Sequence, residues 1–505
     1  MRFNFFKAKG TATQNHEGAL AWEMDVRAEL YAAVVTASLS DTFYEKANTR
    51  LHRIKELVAQ NEPLFVAKLA VYTRTHMHLR SVSLVLAAEL AHRHAGDSLV
   101  SRTISRVICR ADEITELLAY YQLRNERKGT KKLNRLSKQV QKGIALAFNK
   151  SDEYQFAKYN RPADIKLRDA LFLVHPKAKN AAQQALFDKI VQNTLATPYT
   201  WETELSALGQ EAFETDEQRQ QAWAAKWEEL LDSNKLGYMA LLRNLRNILE
   251  AKVSAAHIGR LCAYLANEKA VQNAKQLPFR YLAAYREMLN LKSGYTTRVL
   301  TALEEAVKIS IQNVKGFGEK VPVVIACDVS ASMQKAVSAH SKIQLYDIGL
   351  LLGMLLQQQC RHVITGMFGN TWKIINLPRN NVLANVQEFY RREGEVGYFT
   401  NGHLVIRDLV RRKVKADKVM LFTDCQLWNS SGDGGHLAAE WQQYKVVAPQ
   451  ARLYLFDLAG YGHAPIQLLR PDVFLIAGWS DKVFEVLAAM ENGGAALAGI
   501  EAVAV

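Results

Sequence analysis

The chain has 505 residues, a net charge of +14 and 49% hydrophobic side chains, so more than one packed domain is expected. No stretch reaches the roughly 18 consecutive apolar residues of a membrane span, and residues 1–7 lack the apolar core of a secretory signal, so neither a membrane span nor a secretory signal is expected. The five cysteines (Cys109, Cys262, Cys327, Cys360 and Cys425) are scattered with no C-x-x-C pair, the pattern of buried thiols in a reducing, cytoplasmic setting.

From about residue 20 to 315 the pattern predicts helix after helix, for example 29–39, 51–59, 64–75, 82–92, 181–193, 218–231, 238–249, 255–265 and 279–289, with no convincing strand series. Paired helices of this size with short connections suggest a HEAT-like repeat array. The charge excess is concentrated here. Residues 121–180 hold fifteen Lys and Arg against five acids, a net of +10. Lys131, Arg135, Lys138 and Lys142 follow helical spacing and would share one face, with Lys132 beside them. Leu133, Leu136, Val140, Ile144 and Ala147 would occupy the opposite face, while Arg102, Arg106 and Arg110 form a second stripe at four-residue intervals.

A single basic stripe is ordinarily a solvated helix face. Here acidic partners at i±4 are missing and several stripes fall in neighbouring helices, so nucleic-acid phosphate is the expected partner, with salt-sensitive affinity. No sequence-reading motif is present, which points to shape and single strands rather than duplex DNA. Tyr154, Phe156 and Tyr159, among Lys150, Lys158 and Arg161, are either base-stacking or core aromatics.

Beyond residue 320 the periodicity changes to strands alternating with helices, which predicts a doubly wound α/β sheet. Strands are expected at 321–327, 362–368, 372–377, 419–424, 451–458 and 472–479, and helices at 343–359, 386–392, 403–412, 436–445 and 481–490. The Gly/Ala-rich end from 491 on reads as a loosely held tail. The first strand runs into Asp328-Val329-Ser330-Ala331-Ser332, a later loop carries Thr400, and the fourth strand ends in Asp424. In an open parallel sheet such groups gather beyond the carboxyl ends of the strands. Carboxylates and hydroxyls are hard oxygen donors suited to Mg²⁺ with several waters retained, whereas the neighbouring Cys425 suits it poorly and reads as packing.

The set Asp328, Ser330, Ser332, Thr400 and Asp424 resembles the metal-ion-dependent adhesion site of von Willebrand factor A domains. The chain as a whole resembles the Ro autoantigen family, the TROVE-domain RNA-binding proteins. The carrying residues are Thr13-Gln14-Asn15-His16-Glu17-Gly18, the stretch 30–39, Lys158-Tyr159-Asn160-Arg161, the block from Leu167-Arg168-Asp169 to His175-Pro176-Lys177, Arg243-Asn244-Leu245-Arg246-Asn247 and Leu277-Pro278-Phe279-Arg280. The resemblance implies a ring of α-helical HEAT-like repeats (residues 1–317) closed by a von Willebrand factor A domain (318–491), with a tail at 492–505. It further implies a monomeric, non-catalytic ribonucleoprotein component. Such a protein binds Y RNA on an outer basic surface and single-stranded 3′ ends of misfolded or unprocessed RNA in a central hole, for RNA quality control. It makes Lys166, Arg168, His175 and Lys177 Y RNA contacts, although by residue type alone His175 reads as a satisfied helix-end histidine. A 3′-exoribonuclease is an implied partner, and an acidic protein ligand can fill the open metal position. The threonine loop, Gly397-Tyr398-Phe399-Thr400-Asn401-Gly402, is bulkier than the usual A-domain loop, and a neutral Gln426 follows Cys425.

Two other classes compete. A metal-dependent RNA hydrolase would need a second metal or a base beside the site, and no His-rich or acid-rich cluster, P-loop or G-x-S-x-G elbow is present in the sequence. A protein-binding scaffold would use the A domain alone and leave the basic helices incidental.

Overall fold

The computed structural model describes residues 11–37, 47–124, 136–160, 164–310, 317, 320–337, 341–427, 436–468, 470–491 and 497–505. The chain divides into two compact units. One comprises Met1–Ile54 with Trp223–Ala498, the other Lys55–Ala222 with Gly499–Val505. An α-helical repeat array and a mostly parallel α/β domain are present, as the sequence predicts.

The first unit is built on a six-stranded sheet. Two short strands, β1 (Ala12–Gln14) and β2 (Leu20–Glu23), precede it, and its members are β3 (Pro322–Asp328), β4 (His362–Phe368), β5 (Trp372–Ile374), β6 (Lys418–Thr423), β7 (Arg452–Asp457) and β9 (Val473–Ala477), with a two-residue β8 (His463–Ala464) between the last two. The sheet order is β5-β4-β3-β6-β7-β9, parallel throughout except for β5. Strands covered by helices on both faces must be apolar along their whole length. Val323 to Cys327, Val419 to Phe422 and Leu453 to Phe456 are accordingly all buried. The pairing of Cys327 with Phe422 sets the ends of β3 and β6 side by side.

Helices Tyr238–Glu250, Ala255–Leu265, Pro278–Leu289 and Thr296–Ser310 belong to the same unit. Two buried carboxylates tie them to the α/β part. Asp347, fully buried, takes a two-pronged contact from Arg286 at 2.8 and 2.5 Å. Glu304 accepts the amides of Leu383 and Ala384 at 3.1 and 2.8 Å. These are orphan donors in the first turn of helix Val382–Arg392, whose own N-cap residue, Asn381, makes no side-chain cap.

The domain limits read from the sequence, 1–317 and 318–491, do not coincide with these compact units. β1, β2 and β8 form a second sheet, with Trp22 opposite Ala464. Tyr31 donates to the Ala477 carbonyl at 3.0 Å, and Arg50 and Arg53 donate to those of Ala459 and Gly460 at 2.6 and 2.5 Å. The beginning of the chain is thus packed with the α/β part. Residues 492–496 lie outside the described residues, but Leu497 and Ile500 are buried and Ala498–Glu501 is helical. Within the second unit, Lys68 donates to the Glu501 carbonyl and Arg106 donates to that of Ala504 at 2.6 Å. The expected loose tail is therefore held at its end.

The second unit is a stack of helices, among them Pro63–Thr75, Ser81–Arg93, Leu99–Val107, Ala111–Arg124, Lys138–Phe148, Glu153–Tyr159 and Leu167–Val174. Gly143 permits the close approach of Lys138–Phe148 to Leu99–Val107, since a Cβ there would lie 2.7 Å from the Ile104 Cβ. Two buried acids brace the stack. Glu113 pairs with Arg74 at 2.7 Å and accepts the Cys109 amide, and Glu89 takes Arg124 at 3.1 Å and the Tyr120 hydroxyl at 2.6 Å.

Glu304→Ala should leave the Leu383 and Ala384 amides unpaired, at a cost of about 2 kcal/mol. Thermal unfolding should show a clearly lowered transition. An unchanged transition would mean that this carboxylate does not cap the helix.

Candidate metal centre and basic surface

β3 delivers Asp328 to the carboxyl edge of the sheet, where the chain turns into the short 3₁₀ helix Ala331–Gln334. The Asp328 Oδ1 accepts the Ser330 amide at 2.9 Å and its Oδ2 accepts the Thr423 hydroxyl at 2.6 Å. The Ser330 and Ser332 hydroxyls are 3.2 Å apart. From β6 comes Asp424, whose Oδ1 accepts the Gln426 amide at 3.0 Å while its Oδ2 is buried with no hydrogen-bond partner. The Ser332 hydroxyl also interacts with the Asp424 carboxyl.

The threonine loop is fixed against the same turn. Tyr398 accepts the Ala331 amide at 3.0 Å, Asn370 Oδ1 accepts the Phe399 amide at 3.0 Å, and Asn401 donates to the Asn370 carbonyl at 3.2 Å. Thr400 itself is buried, as are Asp328, Ser330, Ser332 and Asp424. The bulk of Tyr398 and Phe399 is accommodated by pointing outward, both being exposed. The five residues read from the sequence thus lie on three adjoining segments at one sheet edge.

Burial raises the carboxyls of both Asp328 and Asp424 above the ordinary carboxylate range, and Asp424 is raised further by the charge of Asp328. Two acids packed without a counter-charge, one with an orphaned oxygen, together with serine hydroxyls, make a set that fits a small hard cation. Among the described residues no group of three or more His, Cys, Asp or Glu is gathered to hold a metal, so the donors are mixed carboxylate and hydroxyl. Cys425 is buried and its thiol is pushed well up, first by burial and then by the Asp457 and Asp424 charges, which accords with packing rather than ligation.

Sequence reasoning missed several supports of this centre. Thr423, the residue before Asp424, orients Asp328. Asn15 donates to the Leu427 carbonyl at 2.9 Å, and the His16 amide donates to the Gln426 Oε1 at 2.8 Å. The N-terminal stretch that carried part of the resemblance therefore braces the loop after Asp424. Its only signal in the sequence was that resemblance.

The basic residues fare unevenly. Lys131, Lys132, Arg135 and Arg161 lie outside the described residues. Of the expected face of Lys131, Arg135, Lys138 and Lys142, only Lys138 and Lys142 fall on the described helix Lys138–Phe148. Ser137 is extended, and its hydroxyl accepts the Val140 amide, capping the helix that starts at Lys138. Lys138 and Lys142 stand exposed on that helix, and Val140, Ile144 and Ala147 are buried as predicted. The second stripe is also interrupted, since the helix ends at Val107. Arg102 and Arg106 are exposed, but Arg110 is held by Asp112 at 2.6 and 3.0 Å and lies 4.3 Å above the Tyr159 ring.

Phe156 is core, stacked on Phe148, whereas Tyr154 is exposed with Lys158 5.5 Å from its ring. Lys166 and Arg168 are exposed at the start of helix Leu167–Val174, and Arg168 lies 5.7 Å from the exposed Phe172 ring. His175 ends that helix in the left-handed conformation, φ 46°, and both it and Lys177 are exposed. Asn149, following the Lys138–Phe148 helix, donates to the Lys177 carbonyl at 3.2 Å and accepts from Lys179 at 2.6 Å. These contacts tie the 175–179 segment to the helix that bears Lys138 and Lys142.

The TROVE domain model matches residues 31–222 and 194–294. The telomerase protein component 1 of Mus musculus is 35% identical over 135 residues, 27% of this chain and 4% of that protein. Its Rattus norvegicus counterpart is 25% identical over 321 residues, 48% of this chain and 12% of that protein, so the chain spans only a small part of these relatives. The crystal structure of the Deinococcus radiodurans Ro (RSR) protein superposes with a TM-score of 0.59 at 17% identity, covering 93% of this chain and 99% of that one, and shares its fold. With the domain match running from residue 31 to 294 of 505, the chain belongs to the TROVE-domain, or Ro, family.

Proposed function

We propose that this protein is a non-catalytic RNA-binding component of cytoplasmic ribonucleoproteins. It binds Y RNA through the exposed cations of its helical unit and takes single-stranded 3′ ends of misfolded or unprocessed RNA into a central hole, for quality control. The observation that supports this most is the group Lys138, Lys142, Lys166, Arg168 and Lys177, all exposed on elements that pack together within one unit. Phosphate is the partner that such a field attracts without sequence readout. Any cutting of the RNA falls to a separate 3′-exoribonuclease.

The centre at Asp328 and Asp424 is proposed to hold Mg²⁺ through Asp328, Ser330, Ser332, Thr400 and Asp424. The ion would supply a positive charge to the buried carboxyl pair and an open position for an acidic group of a partner. The orphaned, buried Asp424 Oδ2 supports this reading.

Replacing Lys138, Lys142, Lys166, Arg168 and Lys177 together by Gln should flatten the plot of log affinity against log salt for tailed, structured RNA, by about one unit of slope per lost phosphate contact. An unchanged slope would place the RNA elsewhere. Shortening of that RNA on adding Mg²⁺, stopped by Asp328→Ala, would make the protein a hydrolase.

The metal reading has a pH signature. Raised carboxyl pKa values mean that the folded state holds protons the unfolded state has released, so in chelator stability should fall as pH rises from the ordinary carboxylate range toward neutrality. Mg²⁺ binds only the ionised pair, so the gap in melting temperature between Mg²⁺ and chelator should widen with pH. Asp424→Asn should remove that gap, and a gap that is absent at every pH would contradict the proposal.

A further inference from the structure

A cavity of about 640 Å³ opens within the first unit, between helices Tyr238–Glu250, Pro278–Leu289 and Val382–Arg392 and the segment 341–344. Five cations line it: Arg243, Arg246, Arg280, Arg286 and Lys342. Three of them are committed to carboxylates. Arg286 is clamped by Asp347, Lys342 pairs with Glu287 at 2.8 Å, and Arg246 shares Glu287 at 3.5 Å with Glu250 at 3.9 Å.

The remaining two differ. Arg243 and Arg280 are solvent-exposed and have no carboxylate partner among the described residues. Both line the same cavity, and part-burial, with the charge of Arg243 adding to it, holds the Arg280 guanidinium below its ordinary value. Arg280 also lies 5.0 Å from the Phe279 ring. Two guanidiniums held near each other without a counter-ion repel, and the arrangement is relieved by an anion that both can grip. The rest of the wall is mixed, with Met239, Leu242 and Leu289 giving it an apolar portion and Asn247, Asn290 and Gln387 polar groups. Leu289 is 44% exposed, an apolar surface left uncovered beside the cations.

We propose that this cavity binds a nucleotide, its phosphate held between Arg243 and Arg280 and its base laid against the apolar side chains of Met239, Leu242 and Leu289. The volume falls in the range of small-ligand sites rather than of peptide grooves, and planar guanidiniums match phosphate oxygens in pairs. The same chemistry is offered by a free nucleoside monophosphate and by one nucleotide of an RNA strand. The site is separate from the basic surface of the helical unit and stands without it.

Titration calorimetry on the full chain with AMP, adenosine and inorganic phosphate tests it. AMP should saturate one site, and adenosine, lacking the phosphate, should bind at least about tenfold more weakly. The paired change Arg243→Gln with Arg280→Gln should weaken AMP by a similar factor. Glu287→Gln removes the one carboxylate facing the cavity and releases Arg246 and Lys342, so it should tighten AMP about threefold or more. That variant retains meaning even if the paired one is unstable. An unstructured oligoribonucleotide that displaces AMP makes an RNA nucleotide the occupant, whereas one that leaves AMP bound makes it a free nucleotide. No saturation by AMP, equal binding of adenosine, an acidic peptide bound in preference, or AMP affinity unchanged by both the paired change and Glu287→Gln overturns the proposal. Loss of this site with intact salt-sensitive RNA binding overturns it alone, and the reverse overturns only the RNA reading.

Discussion

A charge removed from water has to be matched, and the placement of several buried carboxylates and cations in this protein follows that constraint. Glu113 and Glu89 meet Arg74 and Arg124 inside the helical unit. In the other unit Asp347 meets Arg286, and Glu304 meets two helix-end amides. Each of these holds one element against another. Asp424 breaks the pattern with one oxygen buried and unmatched, at a sheet edge where Asp328 lies on the neighbouring strand. Asp457 and Glu393 also bury one unmatched oxygen, and what sets Asp424 apart is the second buried acid, Asp328, and the serine hydroxyls beside it at the candidate metal centre.

The complementary test applies to cations. Arg110, Arg74 and Arg286 are consumed by acids, and Lys150 donates to the Ser105 and Ile108 carbonyls. Lys138, Lys142, Lys166 and Arg168 instead stand in solvent on elements that share one unit. The proposed phosphate recognition and the proposed metal binding then fall in separate parts of the chain. The fold of the α/β part orients the candidate ion ligands, while the helices supply charge at no cost to their cores, because Val140, Ile144 and Ala147 face inward from the same helix.

Much of this is legible in the sequence, for identifiable reasons. β4 falls at 362–368, the span predicted, and Asp328 and Asp424 end adjacent strands, because an apolar run stopped by an acid is a strong local signal. The helix containing Lys138 starts later than expected. Its apolar spacing continues back to Leu133, but Ser137 caps the Val140 amide, and a cap overrides periodicity. β1, β2 and the two-residue β8 are too short to show any period, and their existence depends on pairing across more than 400 residues, as between Trp22 and Ala464. The same holds for Asn15 and His16, whose roles exist only once the chain has folded back on the Asp424 loop. That the end of the chain is held could not be read from its Gly/Ala composition, since Lys68 and Arg106 reach its backbone carbonyls rather than any side chain.

The most direct measurement of the central claim is photo-crosslinking of a bound, tailed RNA to the full chain, followed by mapping of the attached peptides. Crosslinks should concentrate between residues 138 and 179 and persist in chelator, because the proposed phosphate-binding cations are distinct from the proposed metal ligands. Crosslinks confined to the α/β part, or lost when the metal is removed, would contradict the account.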